Sequence, residues 1–232
     1  MVAGLRAELM QAVAPLARPA VLDVGAGAGR IGQAFVAAGD DYVGVDLSGA
    51  MLTAFRNSAP SARLVLADAA RLPFDDRRFD AALMVQVLNS TRDWHDVIAE
   101  VRRILKPQGV LIAGRTEAPE DGVDARLKQR LATILADMGQ HPYRPAANED
   151  AVDRLTAAAE QRETRIVGRW TAARTPRQFL ERHGTGARFS GLPPGVRQVA
   201  LQRLQRWVET EIGSLDTAST ETHRFEIKIF HF

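Results

Sequence analysis

There is no cysteine among the 232 residues, which excludes disulfides, thiolate metal sites, iron–sulfur clusters and a cysteine nucleophile. Lysine is nearly absent too: Lys106, Lys128 and Lys228 are the only three, so 27 of the 30 cationic side chains are arginines. Hence the pI reaches about 9.4 while 28 acidic residues hold the net charge to +2. A balance this even gives no support to a nucleic-acid partner. No window approaches the roughly 18 apolar residues that span a bilayer. Arg6, Glu8 and Arg18 also interrupt the apolar patches of the first 22 residues, so a cytoplasmic protein without a membrane partner is expected. Internal repeats and low-complexity tracts are missing as well. What is present, 46% hydrophobic and 25% charged residues with 18 Gly and 11 Pro, is the composition of a folded domain. At 25.4 kDa the chain suits one large α/β unit or a core domain with a modest appendage.

Periodicity then orders the first half. Residues 3–17 suit a short helix ending before Pro19, and the apolar run Ala20–Val24 reads as a strand leading into Gly25, Gly27 and Gly29. A helix over Arg30–Ala38, a strand over Asp41–Val45, a helix from the N-cap Ser48 to about Asn57 and a strand over Arg63–Ala67 follow. Phe79–Val87 and Gly109–Gly114 are apolar on both alternating faces, as central parallel strands are. Between them Trp94, Val97, Ile98, Val101, Ile104 and Leu105 fall at helical spacing behind Asp93, before the stop Lys106-Pro107-Gln108-Gly109. Five strands joined by helices make a doubly wound α/β sheet. Past Arg115, helical stripes run from Leu127 to Met138, from Asn148 onward and from Val196 to Ile212. A strand over Arg162–Ala172 and a short helix from Thr175-Pro176 lie between them. Arg224–Phe232 alternates as a half-buried strand, expected to be antiparallel.

The chemistry starts at Val21-Leu22-Asp23-Val24-Gly25-Ala26-Gly27-Ala28-Gly29-Arg30, a strand handing a glycine turn to a helix N-terminus. Glycines there admit a ligand to the backbone, and free N–H groups at the helix start favour an anionic or polar group. Gly27-Ala28-Gly29-Arg30-Ile31-Gly32 also fits the dinucleotide pattern, with Asp46 about 20 residues on, so NAD stays open on these residues alone. Asp23 tilts the balance. A carboxylate two residues before Gly25 suits a cationic sulfonium bearing an α-amino group better than a pyrophosphate, although it could equally orient the loop by a hydrogen bond. Asp46, at the tip of the second strand, can accept both hydroxyls of a ribose; the plainer alternative is a helix-capping carboxylate beside Ser48.

Taken together, the Asp23–Arg30 loop, Val45-Asp46, Leu66-Ala67-Asp68-Ala69 with Leu72-Pro73-Phe74, Phe79-Asp80, and Arg103-Ile104-Leu105-Lys106-Pro107-Gln108-Gly109 resemble the class I S-adenosylmethionine-dependent methyltransferases. The similarity is to the branch containing the ubiquinone and menaquinone biosynthesis methylases, and these motifs span about half the chain. The resemblance implies a Rossmann-like seven-stranded sheet with its last strand antiparallel, and S-adenosylmethionine as cofactor with S-adenosylhomocysteine as product. It implies that Gly25, Gly27 and Gly29, with Ala26 and Arg30, flank the methionine portion. Asp46 and Leu47 would meet the ribose, and Asp68 and Ala69 the adenine edge. Val85 and Gln86, ending the fourth strand, complete the cofactor set. An Asp68 carboxylate can accept from the exocyclic amine while the next backbone N–H donates to a ring nitrogen; an Asx turn at Asp68 is compatible with that role. Where this branch often has histidine or aromatic residues after the fourth strand, the chain reads Val87-Leu88-Asn89-Ser90-Thr91, with no Asn-Pro-Pro-aromatic signature.

Residues 1–116 are therefore expected to form the cofactor-binding core. Residues 117–232 are expected to supply a helical cap over the C-terminal edge of the sheet plus the last two strands. Such a cap makes the acceptor a small, partly apolar molecule, with Asn89, Arg115 and Trp170 as candidate substrate-side residues. No metal site is expected. None of His95, His141, His183, His223 and His231 sits in a recognisable motif, so no catalytic base is nominated. From Arg162 to Arg206 ten arginines face only Glu163 and Glu181. An RNA methyltransferase gripping phosphates with that stretch is one alternative, and a nucleotide-binding module without catalysis another. A solvated or ion-paired surface is the favoured reading, because the arginines spread over strand, helix and loop. The sequence leaves the oligomeric state open.

Overall fold

The computed structural model describes residues 1–87, 94–140, 147–185 and 192–232. Helix α1 (Val2–Ala12) precedes β1 (Ala20–Val24), α2 (Gly32–Ala37), β2 (Asp41–Asp46), α3 (Gly49–Ser58), β3 (Arg63–Leu66) and β4 (Phe79–Val85). Then come α4 (Trp94–Ile104), β5 (Leu105–Glu117), α5 (Val123–Asp137), α6 (Ala147–Ala158), β6 (Gln161–Arg174), α7 (Pro176–Thr185), α8 (Pro194–Glu211) and β7 (Ser219–His231). The seven strands form one sheet in the order β3-β2-β1-β4-β5-β7-β6, with β7 antiparallel. Parallel registers fix its first half: Asp23 lies opposite Gly44 on β2 and Leu83 on β4, and Asp46 lies opposite Leu66 on β3. Each of the seven overlaps a strand expected from the sequence. The crossover from β1 through β2 to β3 on one side and to β4 on the other puts the strand order's reversal at β1, where the glycine loop begins.

The chain divides into two compact units. The first is Met1–Thr116, Pro145–Gly168 and Phe225–Phe232; the second is Glu117–Arg144 and Arg169–Arg224. This differs from a plain division at residue 116, because Ala151 and Leu155 of α6 and Phe230 of β7 pack into the same core as β1 and β4. In that core Val97, Val101 and Ile104, the apolar stripe of α4, are fully buried; each such side chain stabilises by roughly 1.5–3 kcal/mol. A second set of fully buried residues, Leu5, Leu9, Phe35, Tyr42 and Phe55, comes from α1, α2, β2 and α3, with the Phe35 ring stacked on Tyr42. In the second unit Leu127 and Leu131 of α5, Phe179 of α7 and Leu204 and Val208 of α8 form a separate core.

Three boundaries depart furthest from expectation. α1 stops at Ala12, short of residue 17: a proline at position 15 lacks the N–H a helix interior needs and disfavours helical backbone just before it. β5 begins at Leu105, which pairs with Phe79, so it starts before Gly109. β7 begins at Ser219, because its buried alternation continues backward through two polar residues, His223 and Glu221.

Candidate functional site

The cofactor-side residues singled out from sequence lie at or just past the C-terminal ends of β1, β2, β3 and β4. The loop leaving β1 is tied down by its backbone: the N–H groups of Gly25 and Ala26 both donate to Val45 O, at 2.8 and 2.9 Å. At Gly29 the chain needs glycine, since φ is +86° and a side chain would enter the Phe55 ring. Gly27 is different. Its φ of +56° also favours glycine, but nothing lies within 4 Å of where a Cβ would stand, so this part of the loop faces open space.

Asp46 closes the site from β2. Its Oδ2 accepts the Gly27 N–H and its Oδ1 the Ser48 N–H, both at 2.8 Å. One half-buried carboxylate thus joins the glycine loop to the turn before α3, where Ser48 Oγ caps the helix by accepting from Met51 N–H. The capping and the ligand readings are compatible, because each oxygen retains a further lone pair. Beside it Leu47 is 73% exposed and Leu66, at the end of β3, 62% exposed. Asp68 makes the Asx turn: Oδ1 accepts the Ala70 N–H at 2.9 Å, and the exposed carboxylate makes no further bond among the described residues. Ala69 is half-buried beside it.

Asp23 is 2% exposed, with its Oδ2 accepting the Tyr42 hydroxyl at 2.7 Å. Burial pushes its carboxyl up to about 7, the Tyr42 hydrogen bond pulls it down, and the negative charge of Asp46 raises it further. Tyr42 was not visible as a partner from sequence. The signal was Gly44, directly opposite Asp23 and 3.1 Å from the tyrosine hydroxyl at its missing Cβ, which leaves room for that hydroxyl. At the tip of β4, Val85 is half-buried. Gln86 adopts φ +62°, with its N–H on Gly114 O at 2.8 Å and its amide on Thr116 Oγ1 at 3.1 Å. Val87 packs against Gly25, where a Cβ would meet its side chain. Arg30 is exposed and lines a groove of about 550 Å³ with Gln33, Ala37, Ser58 and Ser61.

Asn89 and His141 lie outside the described residues. Arg115 lies 3.6 Å from Glu226 in an ion pair. Trp170 belongs to the second unit, where its indole stacks on the buried His223 imidazole at 5.7 Å between centroids. His223 Nε2 stands 3.5 Å from Glu221 Oε2, and Glu221 accepts the Val123 N–H at the start of α5. Of the arginine-rich stretch, Arg177 donates from Nε and Nη2 to the two oxygens of Asp216, and Arg182 Nη2 donates to both oxygens of Asp124.

Residues 22–113 match the family described as "Methyltransferase domain". The match runs from β1 into β5 and covers less than half of the chain. Demethylmenaquinone methyltransferases are among its relatives. That of Renibacterium salmoninarum is 32% identical over 114 residues, covering 49% of this chain and 48% of the relative. That of Tropheryma whipplei is 32% identical over 156 residues, covering 61% and 64%. The chain thus spans about half the length of the first of these curated relatives. The fold is also that of the Bacillus halodurans protein BH2331, with a TM-score of 0.63, 20% identity and 97% of both chains covered. YcgJ of Bacillus subtilis shares it as well, at TM-score 0.61 and 19% identity over the whole of both chains. The match ends at residue 113, so it contains the β1 loop, Asp46, Asp68 and β4 but neither Arg115 nor Trp170. Among the described residues no helix is long and apolar enough to cross a membrane.

Proposed function

We propose that the chain binds S-adenosylmethionine at the tips of β1–β4 and methylates a small-molecule acceptor, releasing S-adenosylhomocysteine. The observation that carries this is Asp46, whose two oxygens each hold one backbone N–H and keep capacity for the two hydroxyls of a ribose. The surroundings fit the rest of the molecule. Gly27 faces open space, Leu47 and Leu66 offer exposed apolar surface for a purine, and Asp68 retains an acceptor for an exocyclic amine. Gly25, Ala26, Gly29 and Arg30 would flank the methionine portion, and Val85 and Gln86 the β4 side.

When bound, the sulfonium supplies an electrophilic methyl group open to in-line displacement. The chain's own contribution is then orientation: the carboxylates of Asp46 and Asp68 fix the nucleoside, and the Val45-anchored loop fixes the opposite end. Well-oriented reactants gain on the order of 7–11 kcal/mol. The acceptor is proposed from two supports. The relatives are named for demethylmenaquinone, and the second unit has an apolar helical core with Trp170 in its strand segment. Its helices, with Trp170, are proposed to shape a pocket for a partly apolar small molecule; Asn89 and Arg115 are further proposed acceptor-side residues.

Hydrogen exchange with and without S-adenosylhomocysteine tests both parts. Protection is expected over 25–30, 46–48 and 68–72 and also over the α5 and α8 helices. Protection of the loops alone, with α5 and α8 unchanged, removes the small-molecule pocket and leaves a macromolecular acceptor as the better reading.

A further inference from the structure

The segment between Leu66 and Phe79 carries Asp68 yet forms neither helix nor strand, so its backbone groups must find partners elsewhere. Three of them find partners on side chains of α4. Glu100 Oε2 accepts the Leu72 N–H at 2.8 Å. Arg103 Nη2 donates to Leu72 O at 3.0 Å, and Nη1 to Phe74 O at 2.8 Å and Asp76 Oδ1 at 2.7 Å. The two side chains are themselves joined twice, Nε to Oε1 and Nη2 to Oε2, both at 2.8 Å. One guanidinium–carboxylate pair therefore serves three backbone groups of this segment. Leu72, the first residue held, follows the Asp68 turn directly, since Arg71 N–H donates to Asp68 O at 2.9 Å. Leu72 is also buried in the core and Phe74 lies edge-on to Phe79, so the segment is gripped by packing and by charge at the same place.

We propose that Arg103 and Glu100 are positioning residues that set the Asp68 turn for adenine recognition, a reading that rests on S-adenosylmethionine being the ligand. Neither side chain contacts a ligand in this account; both act through the 68–76 backbone. Arginine is required because a lysine ammonium is a point charge and cannot reproduce the planar fork that spans Glu100 and two carbonyls. Lys106, three residues on in the same motif, does something else. Its Nζ donates to Asp80 Oδ1 at 2.8 Å, and Asp80 Oδ2 accepts the Ala20 N–H at 2.8 Å, which pins the N-terminal end of β1, the end opposite the glycine loop. Lys106 is thus a built-in comparison: an ion pair of similar kind that holds the fold but not the Asp68 turn.

The test is calorimetric binding of S-adenosylhomocysteine and S-inosylhomocysteine, whose base carries a 6-oxo group in place of the 6-amino group. Wild type, Arg103→Lys, Glu100→Gln and Lys106→Met are compared. Wild type should prefer the adenine ligand by about tenfold or more, the worth of one hydrogen bond to a charged acceptor. Arg103→Lys and Glu100→Gln should each bring that preference to about twofold or less, while Lys106→Met lowers the melting temperature and keeps the preference. If Arg103→Lys fails to fold, Glu100→Gln decides, since its amide oxygen still accepts the Leu72 N–H. Retention of the preference in the folded Arg103 and Glu100 variants, or equal binding of both ligands by wild type, overturns the proposal. A wild type that binds neither ligand overturns the cofactor assignment itself.

Discussion

Removing the Asp46 carboxylate takes an acceptor from Gly27 and from Ser48, which its two oxygens serve, as well as from the proposed ribose hydroxyls. Asp46→Ala should therefore weaken S-adenosylhomocysteine binding by about 1.5–3 kcal/mol or more, while the circular dichroism spectrum stays intact. An unchanged dissociation constant would reduce Asp46 to a cap. Asp23 makes its mark on stability instead. In the fold its carboxyl titrates at about 7, raised from 3.8 by burial. Between about pH 4 and 7 the folded protein keeps a proton that the unfolded chain has lost, so this residue makes stability fall as pH rises through that window and level off above it. Asp23→Asn, which can still accept from Tyr42, should remove that part of the decline. Urea midpoints at pH 5 and pH 8 read it, and the gap between wild type and variant should change by roughly a few kcal/mol. Parallel slopes for the two proteins would show that the buried carboxyl is not what titrates.

At the level of elements, β7 shows how far periodicity carries and where it stops. Phe225, Ile227 and Ile229 announced its second half, since apolar residues alternate with Arg224, Glu226 and Lys228. Its first half uses the same inward positions for Glu221 and His223, which are 4% and 3% exposed, and a polar side chain on an inward face gives no hydrophobic signal. Central strands β1 and β4 and the stripe of α4 were legible because packing dictated their composition. Asp46 and Asp68 were legible because a family spacing marks them. The Tyr42–Asp23 bond and the hold of Arg103 and Glu100 on Leu72 and Phe74 were not, since each joins residues that only the register of strands or the packing of a loop brings together. Glu221 itself has an element-level consequence. It accepts the Val123 N–H at the first turn of α5, and Gly122 leaves room for its carboxylate. Glu221→Ala leaves that donor without its acceptor and should cost about 1–3 kcal/mol, appearing as faster hydrogen exchange at the start of α5 with β1 and β4 unaffected. Unchanged exchange in α5 would mean that water replaces the carboxylate fully.

For the whole molecule, sequence order and spatial grouping diverge. The first unit gathers three separate stretches of chain and contains the entire proposed donor site, whereas the second is built from the two intervening insertions around its own apolar core. The motif-bearing residues 22–113 lie wholly in the first unit, which explains why the donor chemistry is read from half the chain while the acceptor has to be inferred from the remainder. The G-x-G-x-x-G match that kept NAD open is met here by a loop whose Gly27 is bonded to Asp46, and by a buried carboxylate at Asp23 two residues before the first glycine. A pyrophosphate carries two negative charges into that neighbourhood, while a sulfonium and an ammonium carry positive ones. Isothermal titration with S-adenosylhomocysteine and, separately, with NADH puts this directly to the test. Saturable one-to-one binding of S-adenosylhomocysteine and no heat of binding from NADH are expected; saturable binding of NADH with none of S-adenosylhomocysteine would contradict the methyl-donor site.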